Sequence, residues 1–511
     1  MKTKFFVTLA LVLIGRAAFA ASGMFPKMPA VTNVYVVSCL KSSGAARMTA
    51  YALQGLINQT SAEVYVISSG EHQEQLKFSK KPFEKLTPLT GDNAGLRTLF
   101  QKYQERVKKM FVYDPKENWT WPLALMAAAQ QNGIPVTEAV QKELISEFGW
   151  KGEVEDFRDK WTNRIEAYDW ALTNLMPHCS KQVVFWVQMD KPLIDYIMAS
   201  KGFDFSLDAK NPYERAEVEK IFRAKGYGAG TSLMGYAGDN ANELANPCGI
   251  GYVVSDFYHN GSFWSSFPNK TYTQAPGKAM AAQPGKVYVS FMWSDGDNIQ
   301  FDQNALFEFW HDPYRGTIPV ATPLSPTLQE LNSPLLDWYY SKMTTNDELV
   351  AGPTGVQFIY IRNFRDDLFS TWCELTREWC GDAGFHSGRI WRANNPSAKY
   401  SIYMKMCGFT GLFGEGRVIK AGLPLKLDTF SAWTEDKLFE QFTTQAKPNS
   451  REPVFINCTP IVQGFDKPGG KYAAIRRLMD RLETAHPDRY VFLLPKDQFA
   501  TVRAYYHLPA N

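Results

Sequence analysis

The chain has 511 residues, enough for about three domains at roughly 150 residues each, and its 45% hydrophobic and 21% charged residues make an ordinary globular composition. A formal net charge of +3, with no basic run and no nucleic-acid motif, implies no large polyanion partner. Aromatics reach 14%, with 14 Trp and 24 Tyr; such rings can stack on sugar faces, although most fill core in a chain of this size.

The N-terminus reads as a secretory signal. Lys2 and Lys4 precede the apolar run from Phe5 to Ile14, and Ala18-Phe19-Ala20 supplies an A-x-A cleavage site. Cleavage after Ala20 is expected, giving an exported protein, periplasmic or extracellular. The residue at the cleavage point, Ala21, is not a Cys, which argues against a lipoprotein anchor. No later stretch is apolar for the length of a membrane span, so no integral membrane segment is expected. Seven cysteines in so long a chain are not a disulfide framework. Cys373 and Cys380 are close enough in sequence to bridge or to sit as buried thiols, and Cys39, Cys248, Cys407 and Cys458 read as buried thiols. No CxxC pair is present, so a zinc knuckle is not expected.

After the signal, Asn33 to Cys39 reads as a strand, Gly44 to Asn58 as a helix and Glu63 to Ile67 as a second strand, a β-α-β unit. Gly55 inside that helix costs about 1 kcal/mol relative to Ala, which close packing would explain. A strand at Met110 to Tyr113 and a helix at Trp121 to Gln131 continue the pattern. Residues 137–180 read as polar and helical. Gln182 to Gln188 and Gly249 to Ser255 are strands, with helices at Pro192 to Ser200 and Asn211 to Ala224 between them. This alternation predicts two α/β subdomains, 21–136 and 137–268, then a linker at 269–285. From 286 to 511, strands at Val287 to Trp293, Ile318 to Ala321, Val356 to Ile361, Val454 to Ile456 and Tyr490 to Leu494 alternate with helical sequence. The fold class expected is therefore α/β, with N-terminal α/β subdomains followed by a C-terminal (β/α) barrel-like domain.

Val287 to Trp293 is an apolar run of β-branched and aromatic residues, and it ends in Ser294-Asp295-Gly296-Asp297-Asn298. In α/β folds, chemistry gathers where parallel strands end, because loops there vary on a rigid base. Two carboxylates in one turn raise each other's pKa, which suits an acid or base. The same residue types also suit a plain tight turn. Asp256 follows another strand. Asp366 and Asp367 follow a third and equally fit the start of a helix. Hydrolysis of a glycosidic bond needs two suitably spaced carboxyl groups, one of them protonated. The chain has no GxGxxG after a strand, no Walker loop and no GxSxG elbow, so no cofactor is expected. Its seven histidines include no pair three to five residues apart, which a metal-dependent deacetylase usually needs, and no metal is assigned.

Several blocks resemble the GxGYxYP putative glycoside hydrolase family. They are Leu53-Gln54-Gly55-Leu56-Ile57-Asn58 with Glu63-Val64-Tyr65-Val66; Gly235-Tyr236 through Glu243; Val254-Ser255-Asp256 and Asn260-Gly261-Ser262; Ser294 to Asn298; Thr322 to Pro326; and Asn346 to Pro353. The naming motif itself is degenerate: after Gly352-Pro353 the chain reads Gly355-Val356-Gln357-Phe358-Ile359-Tyr360-Ile361, so the resemblance is to a divergent member. The resemblance implies a secreted enzyme acting on a glycan or oligosaccharide; a monomer is expected. Asp295 and Asp297 are the candidate acid and base, with Asp256 completing the site. Asn298 would orient a carboxyl or bind a sugar hydroxyl, and Asn260, Trp293 and Asp366 are further candidates for substrate contact. A non-catalytic glycan-binding protein on the same scaffold is the alternative, and a hydrolase using Asp295 and Asp297 as metal ligands is a third reading.

Overall fold

The computed structural model describes residues 23–391, 398–446, 451–465 and 469–509. The signal-peptide reading falls on residues outside this set. The described chain forms two compact units. One takes the chain up to residue 238 together with 256–269 and 330–334; the other takes 239–255, 270–329 and 335–511.

The first unit is built from short parallel sheets. Strands β1 (Val34–Ser38), β2 (Val64–Ile67) and β3 (Phe83–Lys85) form one, in the order β2-β1-β3. Strands β4 (Lys109–Val112), β5 (Gly133–Val136) and β6 (Glu153–Asp156) form another, ordered β5-β4-β6. In a third sheet, β7 (Val183–Trp186) pairs in parallel with β8 (Phe203–Phe205) and with β9 (Ser232–Gly235). The helix Gly44–Asn58 begins at Ser43, whose Oγ accepts from Ala46 N at 3.3 Å. Gly55 is there for close packing: a Cβ would sit 2.3 Å from the carbonyl oxygen of Asp195 in the helix Ile194–Ser200. Strand β6 lies inside the stretch read as helical. Its residues are mostly exposed and charged, so nothing in their pattern announced a strand.

The second unit is a nearly closed parallel barrel. After β10 (Gly251–Val254) come β11 (Val287–Met292), β12 (Val320–Leu324), β13 (Asp347–Ala351), β14 (Ser387–Arg389), β15 (Gly411–Phe413), β16 (Leu425–Lys426), β17 (Asp428–Ala432), β18 (Val454–Pro460) and β19 (Tyr490–Leu493). Neighbours run β16-β15-β14-β13-β12-β11-β18-β17, which is chain order around a barrel. Only Leu427 separates β16 from β17, so one extended segment pairs with β15 by its first half and with β18 by its second. β18 runs along Val287 to Phe291; the other edge of β11 is shared, with β19 beside Val287 to Ser290 and β12 beside Phe291 and Met292. All six residues of β11 are buried, as its apolar sequence predicts. Tyr288, Met292, Phe413, Leu425, Leu427 and Phe455 share a core cluster with Phe499 and Val502 of the helix Pro495–Tyr505.

One expectation changes, and one open choice is decided. Residues 356–361 form no strand; Phe358 makes an isolated bridge to Tyr252, and the run is apolar because Val356, Ile359 and Tyr360 are buried. Cys373 and Cys380 lie on one helix, Asp366–Asp382, and both are free thiols. The stretch 269–285 has no helix or strand, yet its middle is fastened. Gln274 Nε2 donates to the carbonyls of Leu349 and Gly384, each at 2.7 Å, and its Oε1 accepts from Leu349 N at 2.9 Å.

Candidate active site

A parallel barrel brings the carboxyl ends of all its strands to one rim. The turn after β11 sits on that rim and is locked from both sides. Trp293 N donates to Ala321 O of β12 at 3.2 Å, and Ser294 N donates to Pro460 O of β18 at 3.1 Å. Ser294 Oγ accepts from Val462 N at 3.0 Å. Asp295 and Gly296 both have left-handed backbone, φ 68° and 89°. A Cβ on Gly296 would come within 2.6 Å of Pro323, and one on Gly352, just past β13, within 2.2 Å of Gly296. Both glycines are therefore required for the turn to nest against the ends of β12 and β13.

The locked turn presents Asp295 and Asp297, both only partly exposed. Asp295 Oδ2 accepts from Ser294 Oγ at 2.7 Å and from Gln463 Nε2, in the turn after β18, at 3.1 Å. Burial, then the nearby Asp295, pushes Asp297 up to about 7; its own backbone N–H and Arg389 pull the other way. Arg389, the last residue of β14, is buried, and burial brings it down to about 10 against the pull of Asp295 and Asp297. Asp302, in the helix Ile299–Gln303, is fully buried, and burial holds its carboxyl well above the usual range. One oxygen accepts from Ser325 N at 2.9 Å and the other has no partner. The arrangement offers a carboxyl that keeps its proton near neutral pH, a second carboxylate beside it, and a guanidinium within electrostatic reach of both.

The remaining candidates separate. Asn298 caps the helix Ile299–Gln303, its Oδ1 accepting from Phe301 N at 3.1 Å. Trp293 is corrected from a substrate contact to core: it is fully buried, with Phe309, Phe465 and Tyr472 packed on it at 5.6 to 6.1 Å, so no ring face is open to a sugar. Asp366 is an exposed first-turn residue of its helix, paired with Lys399. Asp256 belongs to the first unit; it is buried, with Oδ2 3.4 Å from Lys191 Nζ and Oδ1 without a hydrogen-bond partner.

Asn260 is also corrected. It is buried in the first unit, where its side-chain amide pairs with Val66 as a neighbouring strand would: Oδ1 accepts from Val66 N and Nδ2 donates to Val66 O, each at 3.0 Å. Asn58 does the same to Val64, again with both bonds at 3.0 Å. β2 is the edge of its sheet, and these two amides occupy its open side. Gln54 Nε2 bonds Asn260 at 2.7 Å, Asn58 bonds Ser262 at 2.8 Å, and Ser262 donates to Asp195 at 2.6 Å. The shared blocks Gln54 to Asn58 and Asn260 to Ser262 are thus one buried network.

Sequence reasoning missed Arg389, Gln463 and Asp302. Arg389 ends a three-residue strand almost a hundred positions after Asp295, and Gln463 lies still further on. Asp302 alone carried a local signal, a carboxylate just after the acidic turn.

The parallel barrel behind parallel α/β sheets defines the fold class, and comparison with known proteins names the family. Residues 285–419 match the GxGYxYP putative glycoside hydrolase C-terminal domain, residues 107–179 the GxGYxYP_N second domain and residues 175–266 the GxGYxYP third domain. The chain belongs to the GxGYxYP family. A crystal structure of a putative hydrolase from Bacteroides thetaiotaomicron is similar over 96% of this chain and 98% of its own, with a TM-score of 0.81 and 20% identity, which establishes a shared fold. A putative polysaccharide deacetylase from Mycobacterium smegmatis matches 47% of this chain and 98% of its own, with a TM-score of 0.33 and 12% identity. No curated protein matches the chain. Among the described residues, no helix is long and apolar enough to cross a membrane.

Proposed function

We propose that this protein is a glycoside hydrolase whose acid is Asp297 and whose second carboxyl is Asp295. The observation that carries the reading is the carboxyl of Asp297, pushed up to about 7 on the barrel rim. Glycosidic cleavage needs a carboxylic acid that still holds its proton at working pH to protonate the leaving oxygen, and a carboxylate nearby as base or nucleophile. Ser294 and Gln463 fix Asp295 by two hydrogen bonds. The nested glycines hold the turn rigid, which matters because small misplacements cost rate. Asn298 acts through the turn, by capping the helix that follows it.

The degenerate motif at Gly355 to Ile361 favours a second reading, a glycan binder without turnover. A screen of the purified protein against a glycan panel separates the two: product release supports the hydrolase, and binding without release supports the binder. We take the chain to act as an exported monomer. Exported protein beginning at Ala21 fits that reading, and exported protein retaining Met1 opposes it.

A further inference from the structure

Arg389 is 7% exposed. Its ladder partner on β15 is Phe413, whose ring belongs to the core cluster shared with Tyr288 and Met292. Paired residues share a face of the sheet, so the guanidinium projects to that same side at the barrel's carboxyl end. Its fastening is a ring: the guanidinium carbon lies 4.5 Å from the centre of Trp391. Among the described residues, no hydrogen bond or ion pair engages its head group, and Nη1 is a buried donor without a partner. Arg315 of the same barrel shows the usual arrangement. Its Nη1 donates to Asp347 at 2.7 Å and its Nε to Trp310 O at 2.9 Å.

A buried guanidinium with an idle donor weakens a fold, so keeping one requires a use. Asp295 and Asp297 influence its charge, but neither pairs with it. We infer that Arg389 anchors an oxyanion on the substrate, so that the barrel takes an acidic glycan, one whose sugar bears a carboxylate or a sulfate. This rests on the reading of the rim as a glycan site. The planar fork meets two oxygens of a carboxylate or sulfate in parallel, and the stacked Trp391 holds it ready. Neutral hydroxyls would make no such demand for a desolvated cation. A proton on Asp297 keeps the neighbouring pair from presenting two negative charges to the incoming anion.

The test is calorimetric binding in an Asp297→Asn background, which prevents turnover. One arm compares oligogalacturonides with their carboxyl-reduced counterparts; the other compares sulfated galactan oligosaccharides with their desulfated counterparts. In at least one arm the anionic member binds tenfold or more tighter than its neutral partner. Arg389→Met abolishes that ratio while leaving neutral binding in place, and Arg389→Lys, which keeps the charge but loses the fork, retains part of it. The thermal midpoint of Arg389→Met without ligand does not fall, because an unpaired buried charge has been removed. Equal binding within both pairs, no binding by any anionic probe, or a ratio that survives Arg389→Met overturns the inference. If Arg389→Met does not fold, the ratios in the parent and in Arg389→Lys decide. Loss of the anionic preference with catalysis intact in the wild type sinks only this inference. An anionic preference in a protein that cleaves nothing sinks only the hydrolase reading.

Discussion

The molecule carries two buried polar clusters, one in each unit, and they differ in how far their hydrogen bonds are used. In the first unit, Asn58 and Asn260 spend their amides on the edge of β2, and Ser262 and the backbone of Gly261 donate to Asp195. Gln54 Oε1 is the exception, an acceptor with no partner. On the barrel rim, Arg389 Nη1 and one oxygen of Asp302 have no partner, and Asp297 holds a carboxyl well away from its ordinary range. Asn58, Asn260 and Ser262 of the first cluster and Asp295 and Asp297 of the second lie in blocks that carry the family resemblance; Asp195, Asp302 and Arg389 do not. Saturated polar groups explain themselves as scaffold; unsaturated ones cost stability and point to a ligand or a reaction.

The sharpest way to break this contrast is at the rim. Asp297→Asn and Asp295→Asn should each lower turnover on a cleaved glycan by about a thousandfold, within the range for loss of a positioned acid or base. Full activity in both variants would remove the turn from the mechanism. In the first unit, Asn58→Ala strips Val64 N, Val64 O and Ser262 of a partner. It should cost about 3 kcal/mol in denaturant unfolding while leaving kcat of the folded fraction unchanged. A drop in kcat without loss of stability would place that network in the chemistry.

A pH-dependent effect follows from the sign of the Asp297 shift. The folded protein keeps a proton that the unfolded chain releases near its ordinary value, so folding loses stability as pH rises from about 4 to about 7. Asp195 and Glu348, pushed up to about 7 by burial, act in the same sense, so the informative quantity is the variant minus the wild type. Asp297→Asn should be more stable than wild type by about 4 kcal/mol at pH 8, with the gain gone below about pH 4. A pH-independent difference would mean that the carboxyl is not desolvated.

How much was legible in the sequence follows the same division. β11 and the helix Gly44–Asn58 announced themselves, because burial on every side writes an apolar run into the chain, short and β-branched in the strand and longer in the helix. The acidic turn was legible because strand, glycine and carboxylates are contiguous. Arg389 was not, since it reaches the rim through barrel closure, which no local pattern encodes. Asn260 and Trp293 were misassigned because residue type cannot distinguish an amide or ring used inside the fold from one offered to a ligand. Val356 to Ile361 looked like a strand because burial there selects the same apolar residues without a ladder.

The central claim is that Asp297 holds a proton near neutral pH, and it can be measured without any substrate. Infrared difference titration of wild type against Asp297→Asn isolates the carbonyl stretch of that one protonated carboxyl. The account predicts a band that disappears with a midpoint near 7. A midpoint near about 4, the ordinary aspartate value, would contradict it.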